Sequence, residues 1–436
     1  MNDVAERTGG KALLQGGTLL AIGMMAANGG NYLLNLLLGR WLEPAEFADA
    51  NLMVTLMLLV TAIAIALQLV AARYAGIHQA RGTDDRADAM AAWLARWATW
   101  AGIALAVVLA APAVWWADVF NTESAWPFVI LAVGMPAYLV QAVGRGVMQG
   151  RLDFARLAST FVVEMIVRVS AGLALVALGF GVNGATLGLT LSFIATWALV
   201  RWMQPIHGEP KLTVAEFGDL RTYVTPVLVL LLGQIVINNG DVMIVKSTFD
   251  GDTAGVYAAI ALIGRAVFFL SWSAVTTLFP AVAQRSESDE ESTGLLIGGV
   301  AVVSAACGFM VLLAWLFGDI FLSGVFGDEY AGVDSLLVGY AIATSMFAVA
   351  NLLVTFQLSA GHHRESNLLL MGAVFQTTLL LLFHDSMRTV VDVQLIAMGT
   401  LLAAVAISTV ARVRSHTPRP GDATMGKAPE TEEALT

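Results

Sequence analysis

One segment occurs twice in this chain, 207 positions apart, and that repeat constrains the fold more than any other feature. The first copy leads from Asn31 through Leu42-Glu43-Pro44-Ala45-Glu46-Phe47-Ala48, and the second from Asn238 through Phe249-Asp250-Gly251-Asp252-Thr253-Ala254-Gly255. On this offset Asn31 falls on Asn238, Leu42 on Phe249, Pro44 on Gly251 and Ala48 on Gly255. Each copy is a polar residue inside an apolar span, a turn, and a second apolar span. A chain repeated in this way folds as two similar halves, and in polytopic proteins a site commonly lies between such halves.

The solvent for most of the chain is a bilayer, because 58% of its residues are hydrophobic and only 13% charged, far from soluble-domain values. Runs long enough to cross about 30 Å of hydrocarbon lie near residues 13–38, 50–72, 90–117, 126–143, 155–178 and 182–203, and again near 223–248, 254–282, 294–322, 333–358, 366–384 and 391–412. No set of short alternating segments is present to close a barrel, so the spans are helices. The expected fold is an all-α polytopic membrane protein with twelve transmembrane helices in two six-helix lobes. The polar start up to Lys11 runs into a first span of about 26 residues, too long for a signal-peptide core and without a cleavage pattern, and reads as an uncleaved helix. The single cysteine, Cys307, can form no intramolecular disulfide.

Lysine and arginine set the orientation. With the N-terminus cytoplasmic, eighteen of the 23 basic residues fall on the inner side, including Arg145, Arg151 and Arg156, while only Arg40, Lys246 and Arg388 fall outside. Arg168 and Arg265 remain within spans. Both termini are then cytoplasmic in a multi-pass cell-membrane protein. An even number of spans per half gives both copies one orientation, related by a pseudo-two-fold along the membrane normal. The expected divisions are an N-terminal lobe over 1–203, a cytoplasmic linker over 204–222, a C-terminal lobe over 223–414 and a disordered tail over 415–436. Within the linker, the amphipathic stretch Val214 to Leu220 is expected at the cytoplasmic interface.

Charges in hydrocarbon cost about 2.5–3.5 kcal/mol each on insertion scales and persist where a cavity or a partner receives them. Four stand out: Glu164, Arg168, Asp241 and Arg265. Glu164 and Arg168 share a face of the fifth span, either as a self-neutralising pair or lining a chamber. Arg168 and Arg265 both lie roughly 15 Å from the outer ends of their spans, one in each half. Two such guanidiniums would clamp a phosphate or pyrophosphate bidentately. Asp241 could take up a proton or Na⁺, or neutralise Arg265.

Amides form a second pattern. Asn28, Asn31 and Asn35 recur at helical spacing in the first span, and Gln234, Asn238 and Asp241 recur in the seventh. Each could be helix-to-helix glue; their recurrence in both copies favours a shared cavity wall. Pro112, Pro136, Pro226 and Pro280 mark bends or span ends, and Gly181, Gly184 and Gly188 permit close packing. His362-His363 beside Arg364 has no third ligand at metal spacing, and no Walker-type phosphate loop occurs. No catalytic or metal-binding residue is expected. Thirteen acids against three basic residues make the outer loops strongly negative.

Four segments carry a family resemblance: GRWLEPAEFADA at Gly39 to Ala50 with LQLVAARYA at Leu67 to Ala75, GRGVMQGRLDF at Gly144 to Phe154, and NNGDVMIVKSTFDGDTAGVYAAIALIGRA at Asn238 to Ala266. In this order the chain resembles the polysaccharide-transporter, or oligosaccharide flippase, family of the multidrug/oligosaccharidyl-lipid/polysaccharide (MOP) superfamily. The first turn departs from the family pattern, with Glu43 and Ala48 where glycines are usual. The resemblance implies a MATE-like fold around a central cationic cavity. It also implies export of a polyprenyl-diphosphate-linked oligosaccharide for cell-surface polysaccharide biosynthesis. Arg168 and Arg265 would hold the diphosphate. Asn31, Asn35, Gln234 and Asn238 would contact sugars, and Asp241, then Glu164, would couple to H⁺ or Na⁺.

The main alternative is a cation-coupled multidrug antiporter of the same superfamily, whose cavity needs acids and aromatics, whereas two of the four intramembrane charges here are arginines. A lipid II flippase fits twelve spans less well, and a membrane-embedded glycan polymerase or ligase would need a sizeable outer loop. The expected partners are the lipid-linked saccharide, membrane lipids and neighbouring glycan-assembly enzymes. No nucleic acid and no cofactor is expected. The protein is expected to work as a monomer.

Overall fold

The computed structural model describes residues 2–209, 214–283, 289–359 and 366–416. Among them twelve long helices and one short one follow in order: α1 (Asn2–Trp41), α2 (Pro44–Ala80), α3 (Asp84–Ala110), the short α4 (Ala113–Val119), α5 (Trp126–Gly150), α6 (Phe154–Leu175), α7 (Gly181–Met203), α8 (Val214–Thr248), α9 (Gly251–Ala283), α10 (Asp289–Phe326), α11 (Asp334–Ser359), α12 (Ser366–Leu382) and α13 (Met387–His416). Every expected span has its helix. Nine helical runs among the described residues are long and apolar enough to cross a membrane, and one of them, Phe154–Met203, contains both α6 and α7. The protein is an all-α polytopic membrane protein of two six-helix lobes.

The repeat is visible in where helices stop. The offset that carries Asn31 onto Asn238 carries the last residue of α1, Trp41, onto the last of α8, Thr248, and the first of α2, Pro44, onto the first of α9, Gly251. These two turns face each other. A Cβ on Gly251 would press on Ala45, and one on Gly255 would collide with the backbone of Pro44. The copies differ in how the second helix is capped. Asp250 caps α9, accepting from the Thr253 amide at 3.0 Å and its hydroxyl at 2.8 Å, whereas Glu43 makes no side-chain cap to α2.

Apolar burial gives little drive to associate helices in lipid, so close backbone approach and interhelical hydrogen bonds carry that role. Gly146 and Gly150 lay α5 against the backbone of α2 at Gln68 and Ala72, and Gly188 lays α7 against Gly172 of α6. One buried cluster fills the first half, around Leu94, Phe128, Met135 and Phe193. Another fills the second, around Ile237, Phe347, Leu369 and Met398. A third joins the halves at the turns, with Leu38 and Phe47 packed among Val245, Tyr257, Phe326 and Tyr330.

Four expectations need correction. The third span stops at Ala110, and Pro112 starts the separate α4, because proline has no N–H to continue the ladder. The linker expected over 204–222 is helical from Val214, and that stretch continues directly into α8; Leu220 and Val224 then pack on the first-half core. Arg145, assigned to the inner loops, is buried within α5 with 5% of its surface exposed. Lys246, assigned to an outer loop, is buried in the last turn of α8. Arg285, the His362-His363-Arg364 loop and the tail from residue 417 lie outside the described residues.

Candidate functional site

Two buried polar clusters occupy the bundle, one in each half. The first is built on Glu164 of α6. Its Oε2 accepts from Arg145 Nη2 at 2.7 Å and from Gln141 Nε2 at 3.3 Å, both on α5. Its Oε1 accepts from Arg168 Nη2, one turn along α6. Arg168 also donates through Nη1 to Asn31 Oδ1 of α1 at 3.2 Å and through Nε to Ser192 Oγ of α7 at 3.3 Å. Its guanidinium lies 5.4 Å from the Phe193 ring centroid. Arg145 is held further by Thr160, with Nε to Oγ1 at 3.0 Å and Nη2 to the carbonyl at 3.1 Å, and by the Phe161 ring at 4.2 Å. All three charged side chains are nearly excluded from solvent. What looked in the sequence like a neutral Glu164–Arg168 pair is a triad carrying one net positive charge.

The second cluster centres on Asp241 of α8. Its Oδ2 accepts from the hydroxyls of Tyr257 on α9 and Tyr340 on α11, each at 2.8 Å. Behind Tyr257 the chain of bonds continues: Gln394 of α13 donates to its hydroxyl at 3.1 Å, and Gln376 of α12 donates to Gln394 at 2.9 Å. One network therefore links five helices, two of them, α9 and α11, directly to the carboxylate of α8. Its other oxygen, Oδ1, is buried without a hydrogen-bond partner. Arg265 stands beside this network. It donates to Asn239 Oδ1 at 2.7 Å and to the Ala261 carbonyl at 3.2 Å, and its Nη2 is buried and unpartnered. Tyr340 stands between the two charges, donating to Asp241 and lying within reach of Arg265, while Asn239 is a partner of Arg265 alone.

The remaining amides divide between cavity wall and glue. Asn35 donates to the Asn31 carbonyl at 2.8 Å, and Asn28 is exposed. Gln234 binds Asn351 of α11 at 2.5 Å, and Asn238 donates to the Gln234 carbonyl at 3.0 Å. Asn238 also lines a narrow cavity with Tyr340, Thr344, Phe347 and Gln394. No hydrogen bond or ion pair joins the two clusters among the described residues. The connection is α1, where Asn31 receives Arg168 and the next residue, Tyr32, lies within electrostatic reach of Arg265.

Sequence reasoning missed Arg145, Asn239, Tyr257, Tyr340, Gln376 and Gln394. Arg145 had a usable signal, since it sits between Gly144 and Gly146, and glycines that seat a helix against its neighbour also bury what lies between them. The tyrosines had none, because an isolated aromatic in an apolar span reads as packing.

Comparison with known proteins agrees with this architecture. A family model described as "Polysaccharide biosynthesis protein" matches residues 37–335, more than half of the chain. The uncharacterized protein Rv1510 of Mycobacterium tuberculosis strain ATCC 25618 / H37Rv is 24% identical over 321 residues, covering 71% of this chain and 72% of that protein; a match in strain CDC 1551 / Oshkosh gives the same figures. Among solved structures, the inward-facing conformation of a multidrug resistance MATE family transporter of the MOP superfamily superposes with a TM-score of 0.73 at 14% identity, over 88% of this chain and 96% of that one. A MOP superfamily transporter from Pyrococcus furiosus, titled for the reverse polarity of its binding pocket, superposes with a TM-score of 0.58 at 16% identity, over 93% and 96%. This multi-pass membrane protein belongs to the polysaccharide biosynthesis protein family, and its fold is the one seen in the MATE structures of the MOP superfamily.

Proposed function

We propose that this transporter moves a polyprenyl-diphosphate-linked oligosaccharide from the inner to the outer leaflet by alternating access. The observation that carries the reading is a cationic residue held ready in each half. The triad around Glu164 has one positive charge in excess, and Arg265 keeps a buried Nη2 without a partner. Buried cationic groups without full compensation favour an anion, and planar guanidiniums suit diphosphate oxygens. Asn31, which accepts from Arg168, would contact the sugars together with Asn35, Gln234 and Asn238. The prenyl tail stays in lipid between the lobes, which keeps it out of the polar interior.

On this reading both termini are cytoplasmic, and the end where α1–α2 meets α8–α9 is the outer one. The protein works as a monomer beside glycan-assembly enzymes in the cell membrane and carries out no covalent chemistry. Asp241, with one oxygen open, is the first candidate for H⁺ or Na⁺ coupling, and Glu164 is the second. The rival reading, efflux of organic cations, needs an acid free to meet a cation; Glu164 is engaged by two arginines, which leaves Asp241, with its unpartnered Oδ1, as the one acid of the two clusters that would serve it.

The test is the leaflet distribution of polyprenyl-diphosphate-linked glycan in cells with and without the protein, read with a membrane-impermeant label and mass spectrometry of extracted lipid. Cytoplasmic accumulation in its absence is expected, reversed by the wild-type protein but not by Arg168→Gln or Arg265→Gln. An unchanged lipid pool would overturn the reading.

A further inference from the structure

We infer that Arg145 is a positioning residue for anion binding: it holds Glu164 so that Arg168 can be handed to an incoming anion. The inference rests on the proposed role of Arg168 and deepens it. Glu164 divides its oxygens, Oε2 to Arg145 and Gln141, and Oε1 to Arg168. When an anion takes Arg168, only Oε1 loses its partner, and the carboxylate keeps its charge-assisted bond to Arg145. Without Arg145 the same exchange would strand a buried carboxylate, which is strongly unfavourable.

Arg145 is built to stay in place while this happens. Two bonds to Thr160 and the Phe161 ring fix its guanidinium. On either side of it, a Cβ on Gly144 would collide with Val200 and one on Gly146 with the Gln68 carbonyl, so α5 is seated closely against α7 and α2. Arg168 is held by softer contacts: apart from Glu164, its partners are a serine hydroxyl at 3.3 Å, an amide oxygen at 3.2 Å and the more distant Phe193 ring at 5.4 Å. Neither guanidinium meets another carboxylate among the described residues. Glu164 is therefore both the counter-ion of Arg168 and the competitor of any anion that binds it.

Charge bookkeeping gives the test a specific pattern. The wild-type triad has a net charge of one positive unit; Arg145→Gln brings it to zero, and Arg145→Gln/Glu164→Gln returns it to one. Binding of inorganic pyrophosphate to the purified full-length protein in nanodiscs, measured by isothermal titration, reads the effect. Thermal unfolding of each variant confirms that the protein tested is folded. Arg168→Gln and Arg145→Gln are each expected to weaken binding about tenfold or more, the scale of one charge-assisted bond. The double variant is expected to recover most of that loss, and Glu164→Gln alone to bind more tightly than wild type. A residue that merely braced α5 against α6 would give no recovery, since the double variant removes still more of the network.

Loss in Arg168→Gln without recovery in the double variant overturns the inference and leaves the anion-site reading standing. Wild-type binding by Arg145→Gln, or weakened binding by Glu164→Gln, overturns it as well. Undiminished binding by Arg168→Gln removes the anion-site reading and this inference with it. If Arg145→Gln does not fold, Glu164→Gln and Arg145→Lys decide: tighter binding in the first with near-wild-type binding in the second supports the inference, and any other result overturns it.

Discussion

Asp49 near the start of α2 and Lys246 near the end of α8 form an ion pair, Nζ to Oδ1 at 2.6 Å, with 3% of each side chain exposed, and it joins the two halves of the chain. The same ammonium donates to the Asn121 carbonyl at 3.0 Å, and the Asn121 amide reaches the Ser247 carbonyl at 3.2 Å. Asn121 adopts a left-handed backbone, φ 47°, which asparagine tolerates better than most residues. The amide of Glu123 completes the group by donating to Asp49 Oδ2 at 3.2 Å. In the proposed orientation this is the outer closure.

Removing one partner of such a buried pair costs about 3–5 kcal/mol, because the other charge is left uncompensated. Asp49→Ala and Lys246→Ala are therefore expected to lower the unfolding temperature markedly. The exchange Asp49→Lys/Lys246→Asp is expected to restore part of it. In a Cys307→Ser background, a cysteine placed at the buried Ala48, in the cluster that joins the halves, is expected to react faster with an impermeant maleimide once Lys246 is replaced. Equal reactivity with and without Lys246 would show that the pair does not hold the halves together.

The facing turns give a steric prediction. Gly255→Leu puts a side chain where the backbone of Pro44 already lies, and overpacking of this kind costs about 1–3 kcal/mol. The expected result is a lower unfolding temperature and the same rise in maleimide reactivity at position 48. The same change at Gly29, where no neighbour approaches, is expected to do neither.

Asp241→Asn tests the proposed ion coupling. The amide oxygen can still accept from Tyr257 and Tyr340, so the fold is expected to survive and the unfolding temperature to change little. Transport is expected to lose its dependence on an imposed proton or sodium gradient. Retained gradient dependence would move the coupling role to Glu164.

Asp250 supplies a pH prediction at the surface. The two hydrogen bonds from Thr253 hold its carboxyl below the ordinary aspartate range. A lowered folded-state value means a stabilising contribution that is fully present above the unfolded value, about 3.9, and that is lost as pH falls through the folded one. Asp250→Ala is expected to cost about 1 kcal/mol at neutral pH, the usual worth of an N-cap. Its difference from wild type should shrink toward pH 3 in thermal unfolding curves.

The turns of the repeat were legible in position, because a proline or glycine after a long apolar run leaves few places for a helix to stop; the helix ends were not, since the spans expected to stop at 38 and resume at 50 and 254 are helices that end at Trp41 and start at Pro44 and Gly251. The spans were legible for the same reason. The fate of the charges near span ends was not. Lys246 and Arg145 look like ordinary topological charges, and what turns them inward is a partner or a seat on another helix, Asp49 for one and α2, α6 and α7 for the other. Asn238 was placed in the polar stripe of α8 with Gln234 and Asp241, yet it is Asn239, one position on, that receives Arg265. Near the centre of a bundle the faces of α8 are all buried to some degree, so periodicity alone does not say which of two adjacent amides meets which neighbour.

Moved through the repeat offset, Asp49 lands on Val256 and Lys246 lands on Gly39. The acid and the base are thus each private to one copy, and neither half carries both ends of the closure. A symmetric ancestor made of two identical halves would have had this bond twice or not at all, and a present-day protein assembled from two first halves would set Asp49 opposite Gly39. The halves have become complementary parts, as the subunits of an obligate heterodimer do, while remaining on a single chain.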